Sequence, residues 1–156
     1  MTEVRWLNDQ EQRSWRSLMT MQDGLAQYIE RQLRNRHGLS HADYQVLAHL
    51  SEAPEGQLRS YELRRLLRWE KSRLSQHLGR MQSRGLVSRE PCRTDQRGVS
   101  VAITDRGSDL VRAAAPQHVA DVRDALIDHL TAAELEVLAA IGDKVRDRLA
   151  ALDQET

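Results

Sequence analysis

Leu58 to Gly107, LRSYELRRLLRWEKSRLSQHLGRMQSRGLVSREPCRTDQRGVSVAITDRG, holds two helical patterns joined by a tight junction, then two short strand patterns. In the second helical pattern Leu74, Leu78 and Met81 recur at i, i+4 and i+7, so they stack on one side and can be buried. Ser72, Gln76, Arg80 and Ser83 fall on the opposite side, with Arg73 and His77 towards its flanks. Few acidic groups interrupt that face, which suits a surface meeting phosphates and base edges. Leu86 to Cys92 reads as a strand, and Val99, Val101 and Ile103 alternate as its antiparallel partner. Arg93 and Arg97 stand at the turn between them, where they can project. The order is that of a helix-turn-helix with a wing, a unit that places one helix in the major groove of duplex DNA.

Any polar helical stripe is by default a solvated face, so charge distribution has to be weighed too. The 156 residues balance at 23 basic and 23 acidic side chains. Between Arg59 and Arg97, however, eleven basic residues face four acidic ones, a net of +7 that leaves −7 for the flanks. A basic centre between acidic flanks gives a neutral chain an electrostatic footprint for DNA. Only Lys71 and Lys144 are lysines. Arginine favours forked contacts to phosphate and guanine, although a GC-rich genome is the preferred account of the overall bias.

The flanks read as helices. Asn8 and Glu11 have the spacing of a capping box. Trp15, Leu18, Met21, Leu25, Ile29 and Leu33 then continue at helical spacing until Gly38. Ser40 caps the next helix, with Leu39 and Tyr44 as a staple, and Tyr44, Leu47 and Leu50 form its inner face. Ser60 is expected to cap a third helix with Leu63, Leu66 and Leu67 inward, and Trp69 to wedge the two helices of the motif. Thr104 is expected to cap the fifth helix, which Pro116 should kink or divide. Thr131 with Glu134 opens a sixth. With no Phe, the core should rest on Leu, Val, Ile, Ala and the three Trp. The expected class is mainly α (α+β): six helices and a two-stranded wing, arranged as a winged helix-turn-helix at 39–104 between an N-terminal dimerisation helix at 1–38 and C-terminal dimerisation helices at 105–156. Long amphipathic ends with so little chain around them invite a second copy as packing partner.

Enzyme chemistry finds no support. There is no Gly-rich phosphate loop, no HExxH and no paired-Cys pattern. The six His are spread singly, so neither metal nor cofactor is expected. One Cys forms no intrachain disulfide. The polar N-terminus lacks the apolar core of a signal peptide, and no run reaches membrane-spanning length, so a cytoplasmic protein is expected. Cys92 lies between Arg89 and Arg93, and neighbouring cations favour a reactive thiolate. The plainer reading, a small apolar side chain in a strand, is preferred.

GLSHADYQVLAHL, the ELRRLLRWEKSRLSQHLGRMQSRGLVSRE block, the wing DQRGVSVAITDRG and LTAAELEVLAAI together resemble the MarR (multiple antibiotic resistance regulator) family of winged helix-turn-helix transcription factors. The resemblance covers nearly the whole chain. It implies a homodimer on a near-palindromic duplex, and a repressor that a small aromatic or anionic effector releases. By position, Ser72, Arg73, Gln76, His77 and Arg80 match residues facing DNA, Arg97 matches the wing arginine and Asp95 its steadying acid. Arg59, Arg64, Arg68, Lys71 and Arg93 complete the candidate DNA-binding set, and Arg68 departs from the small polar residue usual at the helix junction. Trp15, Met19, Tyr44 and Val111 are candidate walls of an effector pocket, although an ordinary core is the preferred reading of such a stripe. The alternative function is a winged-helix protein acting through non-specific DNA or protein–protein contact, without operator specificity.

Overall fold

Helix α1 (Asp9–His37) begins where Asn8 and Glu11 satisfy each other's amides, both at 2.9 Å. The computed structural model describes residues 4–92 and 98–154, and the chain divides into two compact units, residues 1–118 and 119–156. In the first unit α1 ends at Gly38, whose φ of 65° is left-handed backbone that glycine adopts without steric cost. Helix α2 (His41–Glu52) starts with a second reciprocal cap: Ser40 Oγ accepts the Asp43 amide at 2.9 Å, and Asp43 Oδ2 accepts the Ser40 amide at 3.0 Å. Then follow β1 (Gln57–Arg59), α3 (Ser60–Leu67), α4 (Lys71–Ser83), β2 (Val87–Pro91), β3 (Val99–Ile103) and α5 (Asp105–Ala125).

The wing differs from the expected pair of strands. It is an antiparallel three-stranded sheet in the order β1-β3-β2, with Leu58 and Arg89 both opposite Val101. Three residues are too few to show alternation, which is why β1 escapes a sequence reading. A two-stranded hairpin is marginal in water; pairing on both edges of β3 and packing Val101 into the core remove that weakness.

Leu39, Val46, Leu47, Leu50, Leu63, Leu74, Leu78, Met81, Leu86, Val87 and Val101 are fully buried, so the helix-turn-helix is itself the centre of this unit. Each such side chain stabilises the fold by about 1.5–3 kcal/mol. Three expectations are corrected. Leu66 is exposed and only Leu63 of α3 is fully buried. Of the tryptophans only Trp69 joins the core; Trp6 and Trp15 are exposed. Helix α3 begins at Ser60 itself, with Arg59 in the cap position and Glu62 accepting the Arg59 amide at 2.9 Å.

Thr104 does cap α5, and it does more. Its hydroxyl accepts the Gly107 amide at 3.1 Å and donates to the Gly85 carbonyl at 2.6 Å, while its own amide donates to the Leu86 carbonyl at 3.1 Å. This ties the turn after α4 to the start of α5. Helix α5 runs through Pro116 undivided. One missing bond costs less than the eight unpaired groups that two new helix ends would create.

The second unit holds the end of α5, a turn at Ile127–His129 and α6 (Ala132–Gln154). Thr131 and Glu134 cap α6 reciprocally, at 2.8 and 3.2 Å. No residue of α6 is buried, and Val137, Ile141, Val145 and Leu149 stand about half exposed. Among the described residues, no helix is long and apolar enough to cross a membrane.

Candidate nucleic-acid interface

Helix α4 buries Leu74, Leu78 and Met81 and turns Lys71, Ser72, Arg73, Gln76 and Arg80 to solvent. Glu70 in its cap position makes no side-chain cap bond, so the amides of the first turn stay open towards an anion. His77 departs from the expected exposed set. It is only 9% exposed, and its Nε2 lies 3.0 Å from Asp43 Oδ1. The reason is geometric: His77 is three residues after Leu74 and four before Met81, on the same face as both.

Around this imidazole the structure assembles a network that sequence reasoning missed. Asp43, 3% exposed at the start of α2, also pairs with Arg84 at 2.6 Å, and Arg84 donates to the Gly38 carbonyl at 2.9 Å. Burial works to raise the Asp43 pKa. Hydrogen bonds from His77, Arg84 and the Ser40 amide, with the Arg84 charge, outweigh it and hold the carboxyl well below the usual carboxylate range. Trp69 is buried between the motif's helices as expected, its ring 5.3 Å from His77 in an edge-on arrangement. The Arg73 guanidinium lies 4.2 Å from the Trp69 ring centroid on the outer side, a cation–π contact. Arg80 reaches His77 Nδ1 at 3.2 Å. The only sequence hint was the acidic residue at a capping-box position; its partners lie 34 and 41 residues away.

Beside α4, Arg59, Arg64 and Lys71 gather around a hollow of about 320 Å³ that Ser60, Tyr61 and Gly98 also line. Tyr61, exposed at the start of α3, was not foreseen. Arg89 crosses from β2 to α4, donating to Gln82 Oε1 at 2.8 Å and to the Ser75 carbonyl at 3.3 Å. It therefore fixes the wing against the helix rather than facing outward. Arg93, Asp95 and Arg97 lie outside the described residues.

Arg68 is exposed and closes α3 with φ of 56°. Left-handed backbone costs a residue with a Cβ about 1–2 kcal/mol. Arg68→Gly is therefore expected to raise stability by about 0.5 kcal/mol, the relief of strain exceeding the added freedom of the unfolded chain. Urea unfolding checks this; a loss of 1 kcal/mol or so, as for glycine inside a helix, would refute it.

A family model for the MarR family matches residues 37–98, the segment holding this surface. The whole chain is similar to AbsC of Streptomyces coelicolor, a MarR family transcriptional regulator, at 35% identity and a TM-score of 0.91, over 95% of this chain and 99% of that one. The chain belongs to the MarR family. Sco3205 of the same organism, a MarR family transcriptional regulator solved in complex with DNA, shares 37% identity over 96% of this chain and 93% of its own, again with a TM-score of 0.91. A mutant MarR of E. coli complexed with operator DNA shares 26% identity over 83% of this chain and 91% of its own, with a TM-score of 0.70. No curated protein sequence matches the chain.

The four residues considered for an effector pocket stand in different surroundings. Trp15 is exposed, Met19 partly so, Val111 is buried, and the Tyr44 ring meets that of His118 at a tilt, with centroids 4.3 Å apart. Burial, then the Glu52 charge, raises the Tyr44 pKa. Val111 lines a hollow of about 260 Å³ with Ser51 and Arg112. A larger cleft of about 810 Å³ is lined instead by His37, Arg84, Leu86, Arg106 and Leu110. Cys92 is half-buried beyond β2, and its amide donates to the Gly98 carbonyl at 2.8 Å. Among the described residues, no three His, Cys, Asp or Glu side chains gather as a metal site requires.

Proposed function

We propose that this MarR family member is a cytoplasmic, homodimeric transcriptional regulator that reads a near-palindromic operator with α4. The observation that carries this is the outward row Ser72, Arg73, Gln76 and Arg80, flanked by Arg59, Arg64 and Lys71 at the phosphate-facing hollow. The DNA complex of Sco3205, with its high identity and shared fold, supports it. Dimerisation accounts for the apolar faces that the chain leaves open: Trp15, Leu18 and Met21 on α1, and Val137, Ile141, Val145 and Leu149 on α6. Two-fold symmetry then sets two α4 helices about 34 Å apart, one DNA turn. Repression released by a small aromatic or anionic effector is the regulatory form we favour, on the resemblance to the MarR family; a cleft beside α4, lined by His37, Arg84, Arg106, Asp109 and Leu110, offers it space.

The test is an electrophoretic shift on the intergenic duplex upstream of the protein's own gene, with scrambled competitor, across a salt series. Affinity should fall steeply as salt rises, because counterions are released. Gln76→Ala should lose roughly 10- to 100-fold on operator and little on scrambled duplex. Arg64→Ala should weaken both alike. Equal losses on both duplexes for Gln76→Ala would refute base reading, and a wild type with no preference would favour a non-specific or protein-binding role.

A further inference from the structure

The contact between Arg80 and His77 constrains where a proton sits. A guanidinium offers only donors, so at 3.2 Å the His77 Nδ1 facing the Arg80 terminal nitrogen has to accept. The ring hydrogen is then on Nε2, which lies 3.0 Å from Asp43 Oδ1. Asp43, kept ionised by Arg84 and the Ser40 amide, faces that nitrogen at ion-pair distance, short of hydrogen-bond geometry. A carboxylate on α2 thus fixes the tautomer of an imidazole on α4, and the imidazole in turn holds the arginine one turn further along. The ring is 9% exposed, so water is poorly placed to substitute.

We propose that His77, seated against Asp43, is a positioning residue that presets Arg80 for base reading. This rests on α4 facing DNA. A guanidinium held in place before binding loses less side-chain entropy on reaching a base edge, and its fork geometry rewards correct placement. Protonation at Nδ1 would set a donor against a donor and a cation against a cation, and the Arg80 contact breaks. The charged groups around the ring are Asp43 from α2, Arg80 on α4 and Arg84 across the carboxylate, with Arg73 beyond the Trp69 ring.

Two measurements test it on the full-length protein. Long-range ¹H–¹⁵N correlation of the imidazoles without DNA, with the His77 signals assigned from their absence in His77→Gln, should show the Nε2–H tautomer; an Nδ1–H tautomer overturns the proposal. Operator and scrambled affinities are then compared for the wild type, His77→Gln and His77→Leu. His77→Gln, whose amide can donate to Asp43 and accept from Arg80, should keep the wild-type preference. His77→Leu should lose about tenfold of it, the loss of one well-placed base contact, with thermal melts confirming that each variant is folded. Full discrimination by His77→Leu, or its loss in His77→Gln, overturns the positioning role while leaving operator binding intact. A wild type indifferent to sequence overturns operator binding as well, and the tautomer still reports on the Asp43–His77 pair.

Discussion

Gly107→Ala is expected to lower the unfolding free energy by about 3 kcal/mol, enough to bring the melting temperature down by roughly 6–12 °C in a chain of this size. A Cβ at this position would stand 2.2 Å from the Leu86 carbonyl oxygen and 3.0–3.1 Å from Ile103 and Leu47 side-chain carbons. Alanine gains about 1 kcal/mol over glycine as a helix former, so the two effects oppose. The steric one prevails because its nearest obstacle is backbone, fixed by the Thr104–Leu86 hydrogen bond. Thermal unfolding followed by circular dichroism decides it: a melting temperature unchanged or raised would mean that α5 can lift off that turn freely.

Asp43→Ala should cost a similar amount, about 3 kcal/mol, by leaving the Ser40 amide without its acceptor and removing the buried carboxylate that faces His77 and Arg84. Arg84 is 42% exposed and can turn to water, which keeps the loss at the lower end for a broken buried pair. The pH dependence carries its own signature. The folded Asp43 pKa is depressed, so its contribution is fully present above the unfolded value of about 4 and fades as pH falls through the folded one. His41 adds to the same trend from a higher pH. Burial lowers its pKa against a smaller opposing pull from Glu30. The unfolded chain therefore takes up the proton first, and stability declines once pH drops below about 6.5. Urea midpoints from neutral to acid pH should show both limbs in the wild type and only the upper one in Asp43→Ala. An unaltered acid limb in the variant would assign acid sensitivity to other carboxylates.

The sequence carried the architecture because its signals were local. The boxes at Asn8–Glu11 and Thr131–Glu134, the alternation of Val99, Val101 and Ile103, and the spacing of Leu74, Leu78 and Met81 each need only a few consecutive residues. The same periodicity also held the correct place of His77, three residues from Leu74; its polar character drew it to the outer set. What stayed hidden depends on contact between distant segments. The Asp43 network joins the start of α2 to the middle and the C-terminal end of α4, and β1 acquires its identity only by pairing with a strand some forty residues later. The apolar spacing of α1 and α6 was visible, but spacing alone does not distinguish Ile29 and Leu33, which the chain buries, from Trp15 and Ile141, which it leaves open.

The sheet has a corollary for how such proteins diversify. Since β3 is clasped on one side by β1 and on the other by β2, and the Cys92–Gly98 hydrogen bond continues the second pairing, none of the sheet's strands has to stand as an isolated hairpin. Arg89 stands opposite Val101 in that sheet and donates to Gln82 and to the Ser75 carbonyl on α4, so a change at this one position reaches the strands and the helix together.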